Sequence, residues 1–293
     1  MLSHVGYYRL SGYWYPYRIQ RGEKPTSRGD EFQAGASLEE VTALYEFDRK
    51  LRTLVHDGLE RVEVALRSHI SDVLGSHGPL AHELPSNFRP QFNHRDWIQI
   101  TKSRISRSVR HNTAIRHHLN TYSGIPIWVL MEVLDFSDVS KLFDGMVARE
   151  QQVVAEGLGF RADLEKLSKN QRHKAFKRHP LAAWLEQITV IRNACAHHAR
   201  LWNTTFIPVG TAAARTVPGL GSLPQGQSER LYGSLLMMGL ILRTVSPGTG
   251  WPLKVRDLVD HSFEGLTFRT TSEMGFPKDW QQESMWQRVL LES

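Results

Sequence analysis

SLEEVTALYEFDRKLRTLVHDGLERVEVALRSHISDVLG, running from Ser37 to Gly75, decides the fold. Ser37 stands three residues ahead of Glu40, the pattern in which a hydroxyl caps a helix start and the acid reaches back. A stripe follows through Leu38, Val41, Leu44, Tyr45, Asp48, Leu51, Leu54, Val55, Leu59, Val62, Leu66, Ile70 and Val73, apolar except at Asp48. Steps of three and four sustained over this length predict one long amphipathic helix ending near Gly75. Arg49, Lys50, Arg52, Asp57, Glu60, Arg61 and Glu63 fill the polar face, and Glu63 with Arg67 makes an i,i+4 pair.

Working outward, the same reading repeats. Residues 76–96 hold Pro79, Pro85 and Pro90 and read as a loop. A basic helix is expected over about 96–120, with Arg104, Arg107 and Arg110 at every third position and Arg116 beyond. Another helix is expected after Pro126, through Trp128, Met131, Leu134, Val139 and Leu142, then a second basic helix over 161–178. Pro180 suits the first turn of a helix running to about Leu201. Residues 204–227, rich in Pro and Gly, read as a linker or long loop, and 228–293 as a C-terminal helical segment packing on the same core. A helix is expected over 228–245, and a short amphipathic end carries Trp280, Met285, Trp286 and Val289. Before the long helix, residues 7–18 hold Tyr7, Tyr8, Tyr13, Trp14, Tyr15 and Tyr17 among Arg9 and Arg18; pinning to the core is preferred over base stacking. Period-two alternation is almost absent, so the fold class is mainly α.

Composition narrows the function. One Cys in 293 residues excludes a disulfide framework and a Cys-only zinc site. No apolar run is long enough for a membrane span, and Met1–Gly6 shows no leader pattern, so a soluble, reduced, cytoplasmic protein without membrane partners is expected. The net charge of +6 is uneven: residues 76–125 carry seven basic against two acidic residues, and 161–203 nine against three. These two windows also hold ten of the fourteen His. Clustered cations with histidines favour a nucleic-acid partner over merely solvated helix faces.

The sharpest local feature is Arg192-Asn193-Ala194-Cys195-Ala196-His197-His198-Ala199-Arg200-Leu201-Trp202-Asn203. On a helix, Arg192 and His197 lie about 140° apart around the axis and about 7.5 Å along it, while Asn193 and His197 are i,i+4 neighbours. A fixed cation, an amide and an imidazole suit phosphodiester chemistry, the imidazole moving a proton and the guanidinium holding phosphate charge. An ordinary interface histidine pair explains the same residues. Zinc on Cys195, His197 and His198 is disfavoured by poor convergence at that spacing, and Cys195, flanked by Ala, reads as a small packing residue. Phosphate-loop, dinucleotide, metalloprotease and hydrolase-elbow motifs are absent from the sequence.

Four ordered stretches carry a resemblance over roughly residues 5–205: Tyr7–Trp14, Tyr45–Arg52 continuing into Leu59–Arg67, Trp128–Phe136, and Arg192–Asn203. Together they resemble the Abi-like (abortive infection) bacterial phage-defence proteins, a branch of the HEPN helical superfamily. The resemblance implies a HEPN-like helical bundle over 1–203 with additional helices. It implies a metal-independent endoribonuclease needing no cofactor, in which the 2′-hydroxyl attacks the adjacent phosphate. His197 would be the acid/base, Arg192 the phosphate stabiliser, Asn193 an orienting partner and His198 the alternative acid/base. Because such sites are composite and this chain has one motif, a homodimer is expected. RNA would run along Arg104, Arg107, Arg110, Arg116, Lys169, Arg172, Lys174, Lys177, Arg178 and Arg200. The alternative is a non-catalytic protein that holds a structured RNA on those basic faces, or a helical sensor of a phage component. Relatives carry some tens of residues ahead of the Tyr-Tyr-Arg stretch, so a misassigned start, trimming or a missing N-terminal helix is expected here.

Overall fold

The computed structural model describes residues 2–23, 27–226 and 228–288, without the side chains of residues 2 and 3. Its axis is a helix over Leu38–Gly75, preceded by α1 (Leu2–Val5), α2 (Tyr7–Trp14) and a two-stranded antiparallel ribbon of β1 (Arg18–Gln20) and β2 (Arg28–Phe32). This axial helix, α3, is the one expected. Ser37 Oγ accepts from the Glu40 N–H at 3.1 Å, capping it. Glu40 does not reach back, however; its carboxylate accepts from the Phe268 N–H at 3.1 Å and ties the C-terminal region to the helix start. Val41, Leu44, Leu51, Val55, Leu59, Val62, Leu66, Ile70 and Leu74 form a fully buried stripe, as the three-and-four spacing requires.

Downstream, shorter helices wrap this axis. The basic stretch 96–120 is not one helix. It is α4 (His94–Ser108) and α5 (Thr113–Thr121), because Asn112 accepts from the Ile115 N–H at 3.0 Å and starts a new helix. The expected helix after Pro126 also splits, into α6 (Ile127–Leu130), a 3₁₀ turn and α7 (Phe136–Gly145), the last begun by a capping box of Asp135 and Asp138. Next comes α8 (Ala148–Gly157), which the sequence reading lacked. The second basic helix is only α9 (Lys169–Lys177), since Ser168 and Gln171 form a capping box there. Then α10 (Pro180–Ala196), α11 (Leu231–Val245) and α12 (Trp251–Phe263) complete the helical set, α12 being a further helix that the sequence reading lacked.

The Pro/Gly-rich stretch after α10 is a long packed loop. It buries Phe206, Val209, Ala214, Val217, Leu220 and Leu223 in the same apolar cluster that runs from Tyr13 to Trp286. Trp280, Met285 and Trp286 are buried in 3₁₀ turns rather than in an amphipathic helix; Val289 lies outside the described residues. α11 and α12 both pack on α3. The approach is close at Gly58, where an added Cβ would stand 2.7 Å from the Trp251 indole and 2.9 Å from the Met238 methyl carbon. Glycine is therefore needed mid-helix despite its helix cost of about 1 kcal/mol. Trp251 Nε1 locks the crossing by donating to the Leu54 carbonyl at 2.7 Å. No helix among the described residues is long and apolar enough to cross a membrane.

Candidate active site

α10 stops at Ala196, short of the expected Leu201, and how it stops shapes the site. The Ala199 N–H donates to the Ala194 carbonyl at 2.8 Å and the His198 N–H to the Cys195 carbonyl at 3.1 Å. These are the two bonds of a Schellman ending, with His198 at the left-handed position, φ 56°. Glycine is the usual occupant there; a side chain costs about 1 kcal/mol or more. A strained histidine thus stands where the backbone would be better served by glycine.

Two helices, α2 and α3, hold this turn. Arg9 Nη1, from α2, donates to the His198 carbonyl at 2.7 Å. Arg200 donates to the Gly12 carbonyl and lies 5.5 Å over the Trp202 ring. Behind the turn, Asp48 of α3 is fully buried and accepts from the Tyr13 hydroxyl at 2.6 Å, from Arg52, and from the Leu201 and Trp202 N–H groups at 3.1 and 2.8 Å. Burial pushes the Asp48 carboxyl up, and these donors oppose that push. The Tyr13 hydroxyl is held well above the usual phenol range, by burial first and then by Asp48, so it remains a donor. Asp48 therefore fastens α2, α3 and the end of the motif to one another.

The histidines themselves are open. Asn193, His197 and His198 are exposed, and among the described residues their side chains make no hydrogen bond, ion pair or ring contact. His198 lines a cleft of about 800 Å³ with Arg9, Arg49, Arg52, His56 and Cys195. Arg192 lies one helical turn before Ala196, another lining residue, and its Nε stands 3.8 Å from Glu63 of α3. Glu63 in turn pairs with Arg67 at 2.5 Å. His197 is at the helix end beside this cleft and not in its lining. Cys195 is buried, which pushes its thiol up to about 12 and leaves it protonated and inert. No group of His, Cys, Asp and Glu able to hold a metal ion occurs among the described residues.

The ten residues expected to bind RNA divide. Arg104 is committed to Asp135 at 2.5 Å and Asp138 at 2.7 Å, fixing α4 on α7. Arg178 pairs with Asp144 and Glu186, and Arg172 donates to the Leu164 and Glu165 carbonyls. Arg107, Arg110, Arg116, Lys169, Lys174 and Lys177 are exposed and form no ion pair among the described residues. None of the ten lines the His198 cleft. The cations that do are Arg9, Arg49 and Arg52, which in the sequence stand only among the N-terminal aromatics or on the polar face of α3. Their separation in sequence hid their convergence.

The sequence model of the family described as Abi-like protein matches residues 1–203, ending at the last residue of the Arg192–Asn203 stretch. The chain belongs to the Abi-like protein family. Membership supports a role in abortive infection. No curated protein and no solved structure matches the chain. In this Abi-like chain, the matched stretches Tyr7–Trp14, Tyr45–Arg52 and Arg192–Asn203 are those that Tyr13, Asp48, Arg9 and Arg200 tie together.

Proposed function

We propose that this Abi-like chain is a metal-independent endoribonuclease of an abortive-infection system, with a HEPN-type site at the end of α10. The observation that supports it is the pair of unengaged imidazoles at that end, one of them at a left-handed backbone position and facing a cleft lined by arginines. In the reaction, a neutral imidazole takes the proton of a ribose 2′-hydroxyl as its oxygen attacks the adjacent phosphorus. The bond from phosphorus to the 5′-oxygen breaks, and a protonated imidazole supplies the proton that this leaving oxygen needs. A 2′,3′-cyclic phosphate and a 5′-hydroxyl result. His198 and His197 are the acid/base candidates, Arg192 stabilises the charge that builds on phosphate, and Asn193 orients. Two chains facing each other at this end would give a composite site, and monomeric protein that still cleaves, by light scattering, rules that arrangement out.

Incubation of wild type, His197→Ala and His198→Ala with total RNA in EDTA tests the chemistry. Cyclic-phosphate ends with wild type only are expected. Cleavage unchanged in both variants, or abolished by EDTA, overturns the reading. A second reading, a non-catalytic protein that holds structured RNA, draws on the cations of α4, α5, α9 and the α4–α5 turn that form no ion pair among the described residues. In that case charge reversal at Arg107 and Arg110 abolishes binding and the histidine variants change nothing.

A further inference from the structure

On the other side of α2 from the His198 cleft, a second cleft of about 650 Å³ gathers four guanidinium groups from four separate segments. Arg18 comes from β1, Arg28 from β2, Arg200 from the turn after α10 and Arg230 from the residue before α11. Trp14 and Tyr7 form an aromatic wall, their rings edge to face at 4.8 Å, and Tyr7 is two-thirds exposed. The aromatic segment thus has two fates: Tyr13 and Tyr17 are core, while Tyr7 and Trp14 line this cleft.

Each guanidinium is fixed but incompletely used. Arg18 bonds Asp30, Arg28 the Arg18 carbonyl, Arg200 the Gly12 carbonyl and Arg230 the Asn203 amide oxygen, each through Nη1. Among the described residues no hydrogen bond is made by the other edge of any of these forks. Two carboxylates bear on the group. Asp30 is fully exposed on Arg18, and Glu273, paired with Arg269 at 2.8 Å, interacts electrostatically with Arg230. Pre-positioned forks with a free edge match the two oxygens of a phosphate, and a ring wall beside them matches a nucleobase.

We propose that this cleft binds single-stranded RNA, one base stacking on the Trp14–Tyr7 wall and the flanking phosphates lying on Arg28 and Arg230. It is a binding subsite separate from the His198 cleft and does not require that the chain cleave RNA.

The test is therefore made on binding. The full chain is titrated against a fluorescein-labelled 2′-O-methyl oligouridylate, which has no 2′-hydroxyl to react, and anisotropy is followed over a salt series. Arg28→Gln and Arg230→Gln are each expected to weaken binding about tenfold and to make the log–log salt slope shallower by about 0.7. Trp14→Ala is expected to weaken it at least fivefold, and Trp14→Phe much less. Tyr7→Ser, at an exposed position, repeats the stacking test with little risk to the fold, and circular dichroism checks each variant. Unchanged affinity in Arg28→Gln, Arg230→Gln and Tyr7→Ser overturns the proposal. So does polyglutamate peptide competing as well as oligouridylate, which would mark an acidic-peptide site, or uridine monophosphate binding as tightly as the oligomer, which would mark a free-nucleotide site.

Discussion

Arg9 Nη1 donates to the carbonyl of His198 across 189 residues of sequence, so a helix near the start of the chain holds the turn that ends α10. The bond goes to backbone, and it fixes the direction of the histidine without touching its ring.

Arg9→Ala is therefore expected to lower cleavage by roughly tenfold to a hundredfold through misplacement of His198. The fold should lose only about 1 kcal/mol, because Arg9 is exposed and gives up one hydrogen bond. Steady-state cleavage beside urea denaturation separates the two. A loss of activity matched by a collapse of stability would contradict the positioning role.

His198→Gly should do the opposite to stability. Glycine adopts φ 56° without the strain a side chain incurs, so folding should gain roughly 0.5 kcal/mol after the greater freedom of the unfolded chain is counted. Cleavage should fall to the level of His198→Ala. A glycine variant that is both less stable and fully active removes His198 from the mechanism.

Asp48→Asn should cost about 3–5 kcal/mol, because it leaves the buried Arg52 guanidinium without its carboxylate and weakens acceptance from four donors. Thermal unfolding reads this directly. An Asp48→Asn, Arg52→Met double variant should recover part of the loss, since it removes both charges together. No recovery would show that the carboxylate serves the backbone of residues 201–202 rather than the ion pair.

Stability should fall between about pH 6.5 and pH 4. Burial lowers His82 to about 4, with the His94 charge adding to it, and burial with the Arg89 charge lowers His179 to about 4. Each is neutral in the folded protein below the pH at which it protonates in the unfolded chain. The unfolded state then binds more protons, and folding is penalised as pH drops. His179 also caps α10, its Nδ1 accepting from the Leu181 N–H at 3.2 Å, which protonation abolishes. Urea midpoints at pH 7.5 and 5.0 test this, and His179→Asn, which keeps a cap acceptor without titrating, should flatten the dependence.

Much of this architecture is legible in the sequence where one physical signal acts alone. The cap at Ser37 and the spacing from Val41 to Leu74 suffice for α3. Where two signals compete, the reading misses. Arg104, Arg107 and Arg110 keep a helical period across 96–120, but Asn112 interrupts it with a cap of its own. α12 is hidden because only Trp251, Pro252, Val255 and Val259 of its thirteen residues are buried, a stripe too thin to stand out. At the site, the Arg192–His197 spacing identifies the motif. Extending the helix to Leu201, however, misplaces His198, because nothing in the local sequence announces a Schellman turn without glycine. Asp48 falls in the three-and-four stripe as its one charged member; only its four partners, the nearest in sequence at Arg52 and the farthest at Trp202, reveal it as a buried junction.

The crossing of Gly58 and Trp251 also governs when the protein becomes competent. α3 emerges early from the ribosome, yet its apolar stripe is covered by helices made much later, and Trp251 reaches back 197 residues to Leu54. A nascent chain that has already displayed Arg192 and His197 still lacks α11 and α12, so its motif sits on an unfinished scaffold exposed to chaperones. Synthesis order therefore sets assembly order: the Arg192–Asn203 turn is translated before the helices that complete its scaffold, so no shorter fragment carries it on a finished fold.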